Sequence, residues 1–234
     1  MGTHTKGVTG VLYAGPDSTA LTGDLVTASL DDLALLLPPP PGPVAAPPWD
    51  RAEAEFGLQL PGDYRAFVER YGGGVLTADH GGLELLEVFA PCPAPPPPSV
   101  QWPGSRVLRG GFHGLLDIQA YEAQTFEGID EDDWGGPVHP FHPAPGGLVC
   151  WGTNEAGDSF FWLTQDPDPN RWPVVMWARG PVTTYWTHGG MVAFLVELLS
   201  GRHPASSLVD RPGIHWTMES DWERRGLAIT AGAA

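Results

Sequence analysis

Two hydrophobic periods divide the chain. Across residues 61–71 the large apolar side chains fall at Tyr64, Phe67, Val68 and Tyr71. This i, i+3, i+4, i+7 spacing lines one face of a helix. Pro61 suits the first helical position, where its missing N–H would be unpaired anyway. Gly72-Gly73-Gly74 then ends the helix by permitting positive φ. Met191, Phe194, Leu195, Leu198 and Leu199 mark a second helical face, closed by Gly201. Ser29 followed by Asp31 and Asp32 predicts a helix start, which Pro38-Pro39-Pro40-Pro41 stops. A stiff extended connector follows as far as Pro48. Trp49 to Phe56 reads as a short helix with Gly57 as its stop, and 114–126 as another helix.

The other pattern is that of strands. Gly74–Leu76, Leu83–Val88, Leu148–Trp151, Ser159–Leu163, Val174–Ala178 and Thr183–Trp186 are short runs rich in aromatic and β-branched residues. Asn154 to Asp158 is a hairpin connection between two of them. Val8 to Ala14 is a further candidate strand or an ordered tail. Helices come first, then strands, then a helix, without βαβ alternation. The expected fold is α+β, with a mainly antiparallel sheet packed against helices. One domain is expected over 29–202. An N-terminal segment (1–28) precedes it, and an extension (203–234) follows in which Ile214, Trp216, Met218 and Trp222 indicate partial packing.

Charge adds what periodicity does not. The chain of 234 residues carries 12 Lys plus Arg against 28 Asp plus Glu, a net charge of 12 − 28 = −16. Such a surface repels nucleic-acid phosphates and anionic membranes and attracts basic partners. The imbalance is local: from Gly110 to Asn170 there is no Lys or Arg but there are eleven acidic residues, densest at Glu127, Asp130, Glu131, Asp132 and Asp133. No stretch approaches the roughly 18 apolar residues of a membrane span. The N-terminus lacks the apolar core of a signal peptide, so a cytoplasmic location is expected. The two cysteines, Cys92 and Cys150, are no disulfide framework. Cys150 lies in an apolar run and reads as a small buried hydrophobe.

The run from Trp49 to Gly74, WDRAEAEFGLQLPGDYRAFVERYGGG, resembles the opening motif of the SUKH superfamily. In that motif Leu60-Pro61-Gly62-Asp63-Tyr64 joins two helices through a fixed turn, and the second helix ends in Gly-Gly. Gly147-Leu148-Val149-Cys150-Trp151-Gly152, then Asn154 to Asp158 and Phe160-Phe161-Trp162, is similar to the paired strands of the same superfamily. The resemblance spans about residues 30–202 and implies a non-catalytic α+β domain. Many bacterial members look like immunity proteins for polymorphic toxins, often nucleases or deaminases, and fungal relatives look like regulators of cell-wall assembly. The Pro-rich segment from Pro91 to Pro98 and the acidic loop near Asp132 depart from the pattern.

Catalytic and metal motifs are weak. His139 and His142 sit three apart in a proline-rich loop, with His113 upstream, and a metal site needs three or four converging ligands. Asp166-Pro167-Asp168-Pro169-Asn170 imitates a calcium loop, yet Arg171 and Trp177 stand where that loop needs Gly and Glu. No Gly-x-Ser-x-Gly elbow or phosphate loop occurs, and Cys92 has no local His. Neither catalytic residues nor a cofactor nor a metal is expected.

Of the tryptophans, Trp151, Trp162 and Trp177 are expected in the core. Trp134, beside the acidic run, is a candidate interface anchor. The expected function is an immunity protein that binds and neutralises a basic toxin domain. The candidate contacts are Glu127, Asp130, Glu131, Asp132, Asp133, Trp134, Glu155 and Asp158. The alternatives are a general protein-interaction or regulatory module of the same fold, and a hydrolase using the acidic loop or the His139/His142 pair.

Overall fold

The computed structural model describes residues 28–78, 84–91 and 115–218. Val8–Ala14, Cys92, the rest of the Pro-rich segment from 92 to 98, His113, Trp222 and the tail from 219 onward lie outside the described residues.

Three helices open the described chain. α1 (Leu30–Leu36) starts at a reciprocal cap: Ser29 Oγ accepts from Asp32 N–H, and Asp32 accepts from Ser29 N–H. α2 (Trp49–Phe56) ends at Gly57 in the left-handed conformation, φ 72°. α3 (Gly62–Tyr71) begins one residue after the expected position, with Pro61 as its N-cap. The turn between α2 and α3 is held from both sides. Glu53 accepts from Leu60 N–H at 3.1 Å, and Asn170 Oδ1 accepts from Gly62 N–H at 2.8 Å.

Seven strands form one sheet in the order β6-β5-β4-β3-β2-β1-β7, and every pairing is antiparallel. They are β1 (Gly74–Thr77), β2 (Glu84–Val88), β3 (Leu148–Thr153), β4 (Ser159–Leu163), β5 (Val174–Ala178), β6 (Thr183–Thr187) and β7 (His215–Met218). Strands one to six run as a meander, and β7 returns to the open side of β1. Residues beyond Arg202 therefore complete the sheet, which the expected boundary at 202 did not include. Trp216 of β7 donates its indole N–H to the Tyr71 carbonyl at 2.8 Å and packs edge-on against Phe67.

Side-chain alternation along β4 feeds two cores. Phe160 and Trp162 face α3 and α6 (Gly190–Leu199): Trp162 meets Tyr64 edge-on at 4.9 Å between centroids, and Phe160 meets Phe194 at 5.7 Å. Phe161 faces the opposite layer and contacts Phe126, Phe141 and Trp134. All three β4 rings are fully buried, so the strand is covered on both sides.

Asp63, from the Leu-Pro-x-Asp-Tyr turn, ties α3 to α6. Its carboxylate accepts from Val192 N–H at 3.0 Å and from its neighbour Tyr64 at 2.8 Å. Gly189 gives α6 no side-chain cap of its own, so Asp63 caps α6 from another element. Burial pushes the Asp63 carboxyl above its ordinary range, and the N–H groups of Val192, Tyr64 and Met191 pull the other way. Gly190 is required beside it: its φ is +87°, and a Cβ there would collide with the Asp63 carboxylate. Among the described residues no helix is long and apolar enough to cross a membrane.

Candidate functional site

The second layer, on the Phe161 side of the sheet, carries the acidic run. α4 (Leu115–Thr125) is stitched to β3 by Gln119. Its amide donates to the carbonyls of Leu148 and His142, and its oxygen accepts from Cys150 N–H at 2.7 Å. This buried amide fixes the depth of α4 and, one turn later, of Glu122.

After α4 the chain makes α5 (Glu131–Trp134), capped by Asp130 Oδ1, which accepts from Asp133 N–H at 2.9 Å. Gly135 closes it with φ 76°, and a Cβ there would strike the backbone of Val182 and Thr183. Trp134 is 1% exposed and packs on Phe126 and Phe161. It is a core residue, not the projecting anchor expected from its position beside charge. Its burial orients the short helix so that Glu131, Asp132 and Asp133 face outward, alongside exposed Glu127 and Asp130. Trp134 also leaves its indole N–H without a hydrogen-bond acceptor among the described residues, a desolvation cost of about 1–3 kcal/mol that its aromatic packing offsets.

The aromatic at this acidic face is Trp177 of β5. Expected in the core, it is only half-buried, and its indole N–H donates to the Asp133 carbonyl at 3.2 Å. Here β5 carries its side chain toward the rim of the second layer, where α5 covers it incompletely.

Asp158 also departs from expectation. It is 3% exposed and consumed by the β3–β4 hairpin: it accepts from Asn154 Nδ2 at 2.8 Å and from Arg179 N–H at 2.9 Å. A carboxylate so occupied is a turn component rather than a contact residue. Glu155, at the hairpin tip, is exposed.

Between α4, the hairpin and Trp177 lies a cleft of about 530 Å³. Ile118, Tyr121, Phe126, Trp177 and Arg179 form its walls, and Glu122 and Ser159 lie in its lining. Glu122 is 4% exposed, and its Oε2 accepts from Ser159 Oγ at 2.8 Å. Burial pushes its carboxyl up to about 7, against the lowering pull of the Ser159 hydroxyl. Glu122, Ser159 and the partial exposure of Trp177 were not anticipated from the sequence. A signal was nonetheless present. Leu115, Ile118, Gln119, Glu122 and Phe126 share one helical face, so two polar residues interrupt the stripe that must turn inward.

The remaining candidates are structural. His142 Nε2 donates to the Phe56 carbonyl at 2.8 Å and its ring stacks on Phe56, while His139 packs against Trp186. Among the described residues no group of three or more His, Cys, Asp or Glu converges for a metal ion. In the Asp166–Asn170 turn, Asp168 accepts from Asn170 N–H at 3.0 Å, which presents Asn170 to the start of α3. Cys150 is fully buried; burial, with Glu122 and Glu87 nearby, pushes its thiol well above the ordinary range.

No curated protein sequence and no solved structure is significantly similar to this chain. A family model does match: that of the SMI1 / KNR4 family (SUKH-1), over residues 48–197. The match begins one residue before α2, includes the Leu60–Tyr64 junction whose Asp63 caps α6, and ends within α6 itself. The α+β layers, the capped helix junction and the matched span together place the chain in the SMI1/KNR4 family (SUKH-1).

Proposed function

We propose that this chain is an immunity protein that binds a basic toxin domain, of nuclease or deaminase type, and blocks it. The observation that carries the reading is the acidic ridge of Glu127, Asp130, Glu131, Asp132 and Asp133. These residues are all exposed, Asp133 joins them to the half-buried Trp177 through its carbonyl, and they belong to a chain of net charge −16. A ridge of carboxylates imitates the phosphates a nuclease groove receives, and it accelerates encounter with a basic surface. Trp177 supplies the apolar contact. Family membership supports a binding role, and the reading gives the protein no catalytic step.

The test is genetic. The reading frames flanking the gene are expressed one at a time in a heterologous host, with and without this chain. One of them should arrest growth, and the chain should relieve the arrest. A variant with Glu127, Glu131 and Asp132 changed to Lys should relieve it poorly while keeping its unfolding midpoint. Asp130 stays unchanged in that variant because it caps α5. Absence of any toxic neighbour would overturn the toxin reading in favour of a general interaction module. Full relief by the triple variant would overturn the assignment of the ridge.

A further inference from the structure

The cleft beside the ridge holds a buried carboxylate, Glu122, that meets no cation among the described residues. We infer that it receives one arginine or lysine side chain of the protein partner, with the stem against Trp177 and Phe126 and the charged end at Glu122.

Three features lead there. First, Glu122 is 4% exposed yet lines an open space of about 530 Å³, so the carboxylate is withdrawn from bulk water but reachable from the cleft. Its hydrogen bond among the described residues comes from Ser159 Oγ, and no Lys, Arg or His forms an ion pair with it there. A buried carboxylate in this state is strongly stabilised by a cation that brings its own N–H donors. Second, the walls suit a long basic side chain. Phe126 and Trp177 meet edge-on at 4.8 Å, offering apolar surface for methylenes and a ring face for a cation. Third, the surrounding charge selects the sign. Glu155 and Asp158 belong to the hairpin, Glu87 of β2 and Cys150 of β3 lie on the same face of the sheet, and Tyr121 comes from α4 itself. Among the described residues the one basic residue in the lining is Arg179, just past the end of β5, and it runs along Gly157: a Cβ added there would lie 3.0 Å from Arg179 Cδ and 3.1 Å from Nη1. The ridge continues into the cleft through Trp177, whose indole N–H binds the Asp133 carbonyl. A basic partner docked on the ridge would thus find a socket beside it.

The inference rests on the proposed acidic binding face, but its test needs no toxin. The full chain is titrated with acetyl-Gly-Arg-Gly-amide, with the isosteric neutral citrulline peptide and with agmatine. Binding is followed by calorimetry and by the Trp177 indole N–H resonance, assigned with Trp177→Phe. The arginine peptide should bind saturably and shift that resonance, and the citrulline peptide should bind at least about tenfold more weakly. Glu122→Gln should lose at least about tenfold in affinity for the arginine peptide, and Trp177→Leu should weaken it by calorimetry. Affinity should rise from about pH 6 to about pH 8 as Glu122 ionises. The triple-Lys ridge variant should bind the peptide within about twofold of the parent, because Glu122 and not the ridge holds the charge. Equal binding of the citrulline peptide, unchanged affinity in Glu122→Gln, or no binding of either peptide would overturn the inference. Agmatine binding more tightly than the peptide would overturn it in favour of a free amine ligand. A socket that binds arginine in a chain that relieves no toxicity would overturn the toxin reading and leave the socket standing.

Discussion

Glu122→Gln should stabilise the protein, and only above a definite pH. The Glu122 carboxyl is enclosed by α4 and β4, and burial raises its pKa from the ordinary 4.5 to about 7. A carboxyl raised in this way binds its proton more tightly in the folded state. Its contribution to stability is fully present below about pH 4.5 and is lost as the pH rises through about 7. The displacement, about 7 − 4.5 pH units at about 1.4 kcal/mol each, amounts to about 3.5 kcal/mol. His203 works in the opposite sense. It is buried between Phe194 and Tyr185, its Nδ1 accepts from Ala205 N–H, and burial lowers its pKa from 6.5 to about 4. Its contribution is present above about pH 6.5 and is lost as the pH falls toward 4. Between about pH 4.5 and 6.5 the two slopes oppose each other. Glutamine keeps an oxygen for the Ser159 hydroxyl and removes only the carboxyl slope. Urea unfolding of both proteins at about pH 5, 6, 7 and 8 should therefore give a difference of about 1 kcal/mol at the acid end, growing to about 3 kcal/mol in favour of the variant at pH 8. A difference that does not change with pH, or a variant less stable than the parent at pH 8, would refute the reasoning. Either result would mean that the ionised carboxylate is satisfied in the folded state.

Three further outcomes follow from particular contacts. Asp63→Ala should cost about 2–4 kcal/mol in urea unfolding, since it leaves buried N–H groups at the start of α6 uncapped; a loss below about 0.5 kcal/mol would show that water replaces the carboxylate. Trp134→Ala should cost about 3–5 kcal/mol as a core deletion, whereas an interface anchor would leave the thermal midpoint of the free protein unchanged. Truncation after Arg202 removes β7, with its pairing to β1 and the Trp216–Tyr71 hydrogen bond. The truncated chain should lose its cooperative transition or aggregate through the bared β1 edge, and a monomeric product with the parent's midpoint would refute a structural role for β7.

Sequence alone determined whatever depends on neighbours a few residues away. The Ser29 cap, the Gly57 stop, the Leu60–Tyr64 junction, the two helical faces and the Asn154–Asp158 turn are short-range devices, and all are found where residue spacing puts them. The antiparallel α+β class follows from their order. Periodicity states which side of an element a residue occupies; it does not state what covers that side. Trp134 and Trp177 illustrate the difference. Both are tryptophans near acidic residues or on an apolar strand, and only the docking of α5 beneath the β5–β6 edge decides that the first is enclosed and the second left half-open. Asp158 has the composition of a surface acid until Asn154 and the Arg179 backbone converge on it from two strands. β7 is four residues long and pairs with a strand about 140 positions earlier, beyond the reach of any local pattern. Glu122 shows the limit most clearly. Its helical phase was visible in the sequence, but the space left open beside it is set by three separate elements whose distance apart only tertiary packing fixes.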